Sequence, residues 1–433
     1  MKTMQEIYEL DGKINPLKGL PFGMQHVLAM FVANITPIMI IAGACGVGQE
    51  NVARLIQSAM LIAGIGTFIQ LFPLWKIGSR LPIVMGISFT FVGIACGIGA
   101  QFGYGAIVGA VIVGGIVEGI LGLFGKYWIR FIKPIVAANV VIAIGFSLLG
   151  VGARSFGGGY APDFGSWQNW TIGTITLVSG LVFSHFAKNY LKSLSVLFAL
   201  IVGYIVAVCF GKVNFAPVAS SPIVGLPAFM MFKPTFNTGA IISFILIYLV
   251  SATETLGDTS AMCASGLHRD VTTKEASGSI CCDGFISALG GLFGCSPITS
   301  FSQNVGLVAM TGVVNRIAIA TGAAVLVIAG IFPIFGAVLA TLPDAVLGGC
   351  TIMMFGSIVT SGIQMLNKCG LSSKNATITA LSLSIGLGFT QINEMFNAFP
   401  KIVQTVFNGN CVAVVFVIAL VLSLCMKDKG DDK

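Results

Sequence analysis

Apolar residues run along this chain in long blocks, separated by short polar or charged loops. We count fourteen blocks, starting near residues 22, 51, 81, 104, 131, 170, 193, 238, 277, 297, 316, 345, 373 and 408. A helix of about 20 apolar residues crosses a ~30 Å hydrocarbon core. The blocks lack the strict apolar/polar alternation of a transmembrane β-barrel. The pattern therefore predicts an all-α integral membrane protein with fourteen spans. The blocks near 81 and 297 are too short or too polar for plain helices.

Composition agrees. Of 433 residues, 56% are hydrophobic and 9% charged, and the mean hydropathy is +0.95. A soluble domain carries about 25% charged residues. Residues 1–20 hold Lys2, Glu6, Glu9, Asp11, Lys13 and Lys18 before the first long block, so no cleaved signal is expected. Placing both termini in the cytoplasm and alternating sides leaves only Arg54, Arg154, Lys212, Lys233 and Lys401 of the 23 basic residues outside. This is the asymmetry of the positive-inside rule. The net charge of +7 thus reads as membrane orientation. No basic stripe suited to nucleic acid forms.

The eleven cysteines are scattered through apolar runs without a C-x-x-C pair, so we read them as packing residues and expect no metal site. The 55 glycines are read as close-approach positions between membrane helices. No phosphate-binding loop is present, which argues against an ATP-driven pump, and no cofactor is expected.

Polar residues at membrane depth are costly and mark function. "LVSATETLGDTSAMC" places Glu254 and Asp258 on one face of the eighth span, four residues apart. Asp283 lies early in the ninth span, and His26 in the first with Asn34 two turns on. Glu118, in the fourth span, is placed near the cytoplasmic end, where snorkelling is cheap. A desolvated Glu254 carboxylate would be open to protonation near neutral pH.

"TSFSQNVGLVAMTG" places Thr299, Ser300, Ser302, Gln303, Asn304 and Thr311 within an apolar region. "SPITSFSQNVG" at 296–306 echoes "LPIVMGISFTFVG" at 81–93, about half the chain earlier. Two halves of seven spans each would have inverted topology, as in many transporters, with substrate held where broken spans meet at the midplane. Backbone that leaves a helix at that depth must face protein or a cavity.

"QNVGLVAMTG", Gln303 to Gly312, resembles the signature of the nucleobase–ascorbate (nucleobase:cation symporter) family, through Gln303, Asn304, Gly306 and Thr311. The likeness extends to "QHVLAMFVANITP", "SFTF", "ETLGD" and "CDG", and so covers nearly the whole chain. The members most similar are bacterial xanthine and uric acid permeases. The resemblance implies a core domain of spans 1–4 and 8–11 and a gate domain of spans 5–7 and 12–14. The repeats would be residues 21–211 and 238–426, joined by an extracytoplasmic connector, 212–237, with a cytoplasmic tail at 427–433. It also implies strand-like breaks in spans 3 and 10, a homodimer, a cell-membrane location, and H⁺ or Na⁺ as co-transported cation.

By the same resemblance Glu254 is the main substrate carboxylate and Gln303 the second side-chain contact. Ser88, Phe89 and Ser302 line the pocket, with Phe89 stacking on a purine. Asn304, Thr311 and Gly306 shape span 10, while His26, Asp258 and Asp283 serve coupling or site architecture. Asp258 stands where some uracil-type members have a histidine. From chemistry alone, a buried carboxylate accepts two N–H bonds and an amide offers one donor and one acceptor, which suits a planar heterocycle. A uracil permease and an anion transporter of the same fold are the alternatives. A channel lacks its continuous polar path, and an enzyme its nucleophile or metal cluster.

Overall fold

A computed structural model of the protein describes residues 6–392 and 394–426. Lys2, Lys427, Lys429, Lys433 and the tail at 427–433 lie outside the described residues. Fourteen segments are seen. They are α1 (Pro16–Ala44), α2 (Gln49–Leu71), a break at β1 (Met85–Ile87) leading into α3 (Val92–Phe102), and α4 (Tyr104–Leu123). There follow α5 (Pro134–Phe156), α6 (Trp167–Phe186), α7 (Ser195–Cys209), α8 (Thr238–Gly266) and α9 (Thr273–Leu292). A second break at β2 (Ile298–Ser300) leads into α10 (Ser302–Thr311), and then come α11 (Arg316–Ile331), α12 (Asp344–Cys369), α13 (Ser373–Thr390) and α14 (Cys411–Cys425). The chain is an all-α membrane fold of fourteen spans in two repeats, with strand-like breaks in the third and tenth.

Local chemistry sets the boundaries. α1 starts before the apolar block near 22, because Asn15 caps the Leu17 N–H and Pro16 suits the first turn. α9 opens on a capping box between Thr272 and Glu275, and Glu275 also receives Arg269 at 2.5 and 2.9 Å. α10 stops at Gly312, whose φ of 72° is the left-handed conformation that glycine reaches without strain. α11 turns by 86° into the short helix Pro333–Leu339.

Seven described helices are long and apolar enough to cross a membrane by length and composition alone: α1, α2, α4, α5, α7 with its lead-in from Leu191, α8 and α12. α9 is not among them. Its Ser279, Asp283, Ser287 and several glycines are buried against protein, so it needs no greasy surface.

The helices pack in two groups. α1 and α2 lie on α11, and α4 lies on α9 and α8. α5 lies on α12 and α14, α6 on α7 and α12, and α13 on α14. One end of the first group is bolted by the N-terminal segment. Asn315 donates to the carbonyls of Glu6, Glu9 and Gly12 at 2.8–3.1 Å. Asp11 accepts from Arg316, through Nε at 2.7 Å, and from Arg80 at 3.1 Å. Partial burial works to raise the Asp11 carboxyl, but the Arg316 and Arg80 guanidiniums outweigh it and hold it below the ordinary value.

Candidate functional site

The two breaks meet. β1 and β2 pair antiparallel, with Met85 opposite Ser300, Gly86 opposite Thr299 and Ile87 opposite Ile298. Ser88 N–H donates to Pro297 O at 2.9 Å, and Phe301 N–H to Val84 O at 3.0 Å, extending the ladder at both ends. A two-stranded ribbon inside a membrane protein still has two open edges, and its unpaired amides must find partners. Side chains from the surrounding helices supply them. Asn34 accepts from Ile87 N–H at 2.7 Å and Thr67 from Met85 N–H at 3.0 Å. On the other edge Ser287 accepts from Ile298 N–H at 2.9 Å, and Asp283 accepts from Ser300 N–H at 3.0 Å.

Asp283 is the hub of that second edge. It also accepts from the hydroxyls of Thr255, at 2.6 Å, and Ser300, at 3.0 Å, and from Gln70 Nε2 at 3.3 Å. It therefore fixes β2 against α2, α8 and α9, and it is fully buried behind the ribbon.

In front of the ribbon lies a cavity of about 240 Å³. Of the residues singled out from sequence, Glu254, Gln303, Ser88, Phe89, Ser302 and Gly306 all line it. Glu254 projects from the middle of α8, and Thr90 donates to its Oε2 at 2.6 Å. Among the described residues its Oε1 has no hydrogen-bond partner. Gln303 and Gly306 stand on the first turns of α10. A Cβ on Gly306 would meet nothing within 4 Å, so this glycine keeps the floor of the cavity wide. Phe89 and Phe355 of α12 meet edge to face, centroids 5.5 Å apart. Asp258, one turn below Glu254, accepts from Ser302 Oγ at 2.9 Å.

His26, Asn304 and Thr311 are placed elsewhere. Asn304 Nδ2 meets His26 Nδ1 at 3.0 Å and donates to His26 O at 3.2 Å, joining α10 to α1 on the buried side. Thr311 is bonded to Leu307 O at the far end of α10, away from the break. Glu118 corrects the reading from sequence. It is 0% exposed, so its carboxyl does not snorkel to water.

Sequence reasoning passed over Thr90, which sits inside the quoted "SFTF", and Thr255, inside "ETLGD". It also missed the opposite wall. Val141 and Ile144 of α5 and Met354, Ser357 and Ser361 of α12 complete the cavity from the second group of helices. Nothing in their local pattern distinguishes them from other span residues. Ser302, Gln303, Gly306 and Met310 on α10 are exposed, as are Ser357 and Ser361 on α12. The cavity therefore opens toward the end of the bundle where the N-terminal segment docks.

Comparison with known proteins gives one consistent family. Residues 17–395 match the family model Xan_ur_permease, described as a permease family. The chain is 32% identical over 410 residues to the xanthine permease of Bacillus subtilis, covering 94% of this chain and 93% of that one. It is 34% identical over 388 residues to the uric acid permease PucK of the same organism, covering 89% and 90%. It is 32% identical over 411 residues to the xanthine permease XanQ of Escherichia coli, covering 91% and 88%. Among solved structures, the transmembrane domain of a cyanobacterial bicarbonate transporter, BicA, superposes with a TM-score of 0.60 at 18% identity, over 93% of this chain and 98% of that one. SLC26A9 superposes with a TM-score of 0.58 at 14% identity, over 92% and 65%. These last two share the fold. With the broken-span cavity and a family match over most of its length, the chain belongs to the nucleobase–ascorbate transporter family, multi-pass permeases of the cell membrane and not enzymes.

Proposed function

We propose that the chain imports a purine nucleobase, xanthine or uric acid, by symport with a cation, H⁺ in preference to Na⁺. The observation that carries this reading is the pairing in one cavity of a carboxylate with an open oxygen, Glu254, and an amide, Gln303. The carboxylate accepts ring N–H groups. The amide meets a C=O beside an N–H on another edge, with its donor and acceptor at fixed spacing at every pH. Phe89 offers a ring face or edge to the bicycle. Ser88 and Ser302 add polar contacts at the ribbon.

The helices α1–α4 and α8–α11 act as the core that carries the site. α5–α7 and α12–α14 act as the gate, and in a homodimer supply much of the contact. Movement of the core against the gate past α5 and α12 exposes the cavity to alternate sides. The N-terminal end is cytoplasmic in this reading, so the cavity faces inward here, and residues 212–237 lie outside. Coupling requires a cation that favours the loaded closed state. Protonatable groups at membrane depth suit H⁺, while sodium sites more often use carbonyls of unwound helices.

Competition for labelled xanthine uptake by vesicles tests the reading. Xanthine and urate should compete strongly and uracil poorly, since a bicyclic ring reaches both Glu254 and Gln303 and unpaired buried groups penalise a partial fit. Uracil competing better than xanthine would remove the purine assignment, and uptake that needs Na⁺ and ignores a collapsed pH gradient would remove H⁺.

A further inference from the structure

Glu118 lies on the face of α4 that presses against α9. The approach is backbone to backbone. A Cβ on Gly284 would sit 2.1 Å from Gly119 N, and one on Gly115 would sit 2.6 Å from Gly284 O. Only glycines allow this contact, and it seals the seam. Within it Glu118 is 0% exposed, and neither carboxyl oxygen has a hydrogen-bond partner among the described residues. The Ser251 hydroxyl, which faces it from α8, is 1% exposed and equally without a partner.

The surroundings offer no positive charge. Tyr248 and Glu254 of α8 and Asp283 of α9 are near enough to act on Glu118 electrostatically. Cys281 of α9 packs at Gly122, and α3, on the other flank, has no charged residue. The Tyr248 hydroxyl is committed to Val111 O at 3.3 Å. An ionised carboxylate here would have the Ser251 hydroxyl as its one donor and no cation, beside two other acids. A helix-gluing acid would be paired, and this one is not. A proton removes the uncompensated buried charge, and the neutral carboxyl and the serine hydroxyl can then donate and accept between themselves.

We propose that Glu118 holds the coupling proton, seated against Ser251 behind the substrate cavity. The assignment rests on the proton-symport reading above. One proton reaches a Glu118 oxygen from the cavity side, past Ser251, and takes the carboxylate from minus one to neutral. The same proton leaves by that route when the cavity faces the opposite side, and no other bond changes. The link to the cavity is one turn of α8. Ser251 is three residues before Glu254 and four before Thr255, whose hydroxyl is on Asp283 at 2.6 Å. Neutral Glu118 no longer repels an ionised Glu254, so the proton favours the state in which Glu254 accepts a base.

The test uses the full chain in sodium-free proteoliposomes, with two assays on the parent and on Glu118→Gln. Base-for-base exchange reports an intact site, and accumulation under a pH gradient reports coupling. One unit of gradient drives about tenfold accumulation per coupled proton. The parent should both exchange and accumulate. Glu118→Gln, neutral at every pH, should exchange and accumulate about onefold, and the infrared band of a protonated carboxyl should be lost from its difference spectrum. Parental accumulation by Glu118→Gln overturns the assignment alone. A parent that exchanges base but ignores the gradient overturns proton symport, and the assignment with it. If Glu118→Gln does not assemble, Ser251→Ala decides: a shifted pH profile of exchange is expected, and an unshifted one overturns the proposal.

Discussion

The Thr90 hydroxyl donates to Glu254 Oε2 at 2.6 Å, across 164 residues of sequence. Thr90 follows the break of the third span, and Glu254 sits in the eighth. One repeat thus orients the acid of the other, and the orientation leaves the second carboxyl oxygen toward the cavity.

Thr90→Val keeps the shape and removes the donor. A hydrogen bond to a charged group is worth about 1.5–3 kcal/mol, although part of this is recovered if Glu254 finds water. Binding of xanthine should weaken roughly tenfold, with the fold intact. Titration calorimetry on the purified variant reads this directly, and an unchanged Kd would mean that Thr90 does not set the carboxylate.

Asp283→Asn tests the ribbon clamp. The aspartate accepts from Ser300, Thr255 and Gln70, and an amide replaces one acceptor oxygen with a donor facing donors. We expect a loss of about 2–4 kcal/mol of stability, as for other broken buried networks. A lower unfolding temperature in detergent should accompany it, along with impaired transport. A variant as heat-stable as the parent would show that the ribbon edge does not depend on this acid.

Outside the membrane, Asp163 and Lys212 pair at 2.5 Å and tie the loop after α5 to the end of α7. The Lys212 hydrogen bond, against some burial, holds the Asp163 carboxyl below its ordinary value. A carboxyl depressed in the folded state contributes stability above its unfolded value of about 3.9, which is lost as pH falls through the folded value. Proteolysis of this loop should therefore be unchanged between pH 8 and 5 and rise only in stronger acid. Asp163→Asn should be cleaved faster at neutral pH. Equal cleavage of parent and variant at pH 7 would rule the tie out.

Much of this was legible in the sequence, for a physical reason. A bilayer fixes span length, so block starts such as those at Tyr104, Thr238, Arg316 and Ser373 can be read from hydropathy alone. Polar groups at depth are expensive, so Glu254 and Gln303 stood out and did come together. Partners were not legible. Thr90 and Thr255 look like ordinary small span residues until packing brings them to a carboxylate. Ser357 and Ser361 on α12 face the cavity only because α12 packs on α5 beside it. Glu118 does not snorkel because its burial depends on the glycine seam with α9, which is a property of two helices and not of one.

The central claim is that Glu254 is the carboxylate that holds the base. Xanthine binding to purified Glu254→Ala, measured by titration calorimetry beside the parent, tests it most directly. Removing the paired hydrogen bonds of a buried carboxylate costs several kcal/mol, so affinity should fall by about a hundredfold or more. The melting profile should stay close to the parent's, since Thr90 is the one hydrogen-bond partner of Glu254 among the described residues. Binding within a few fold of the parent, by a folded Glu254→Ala protein, would contradict the account.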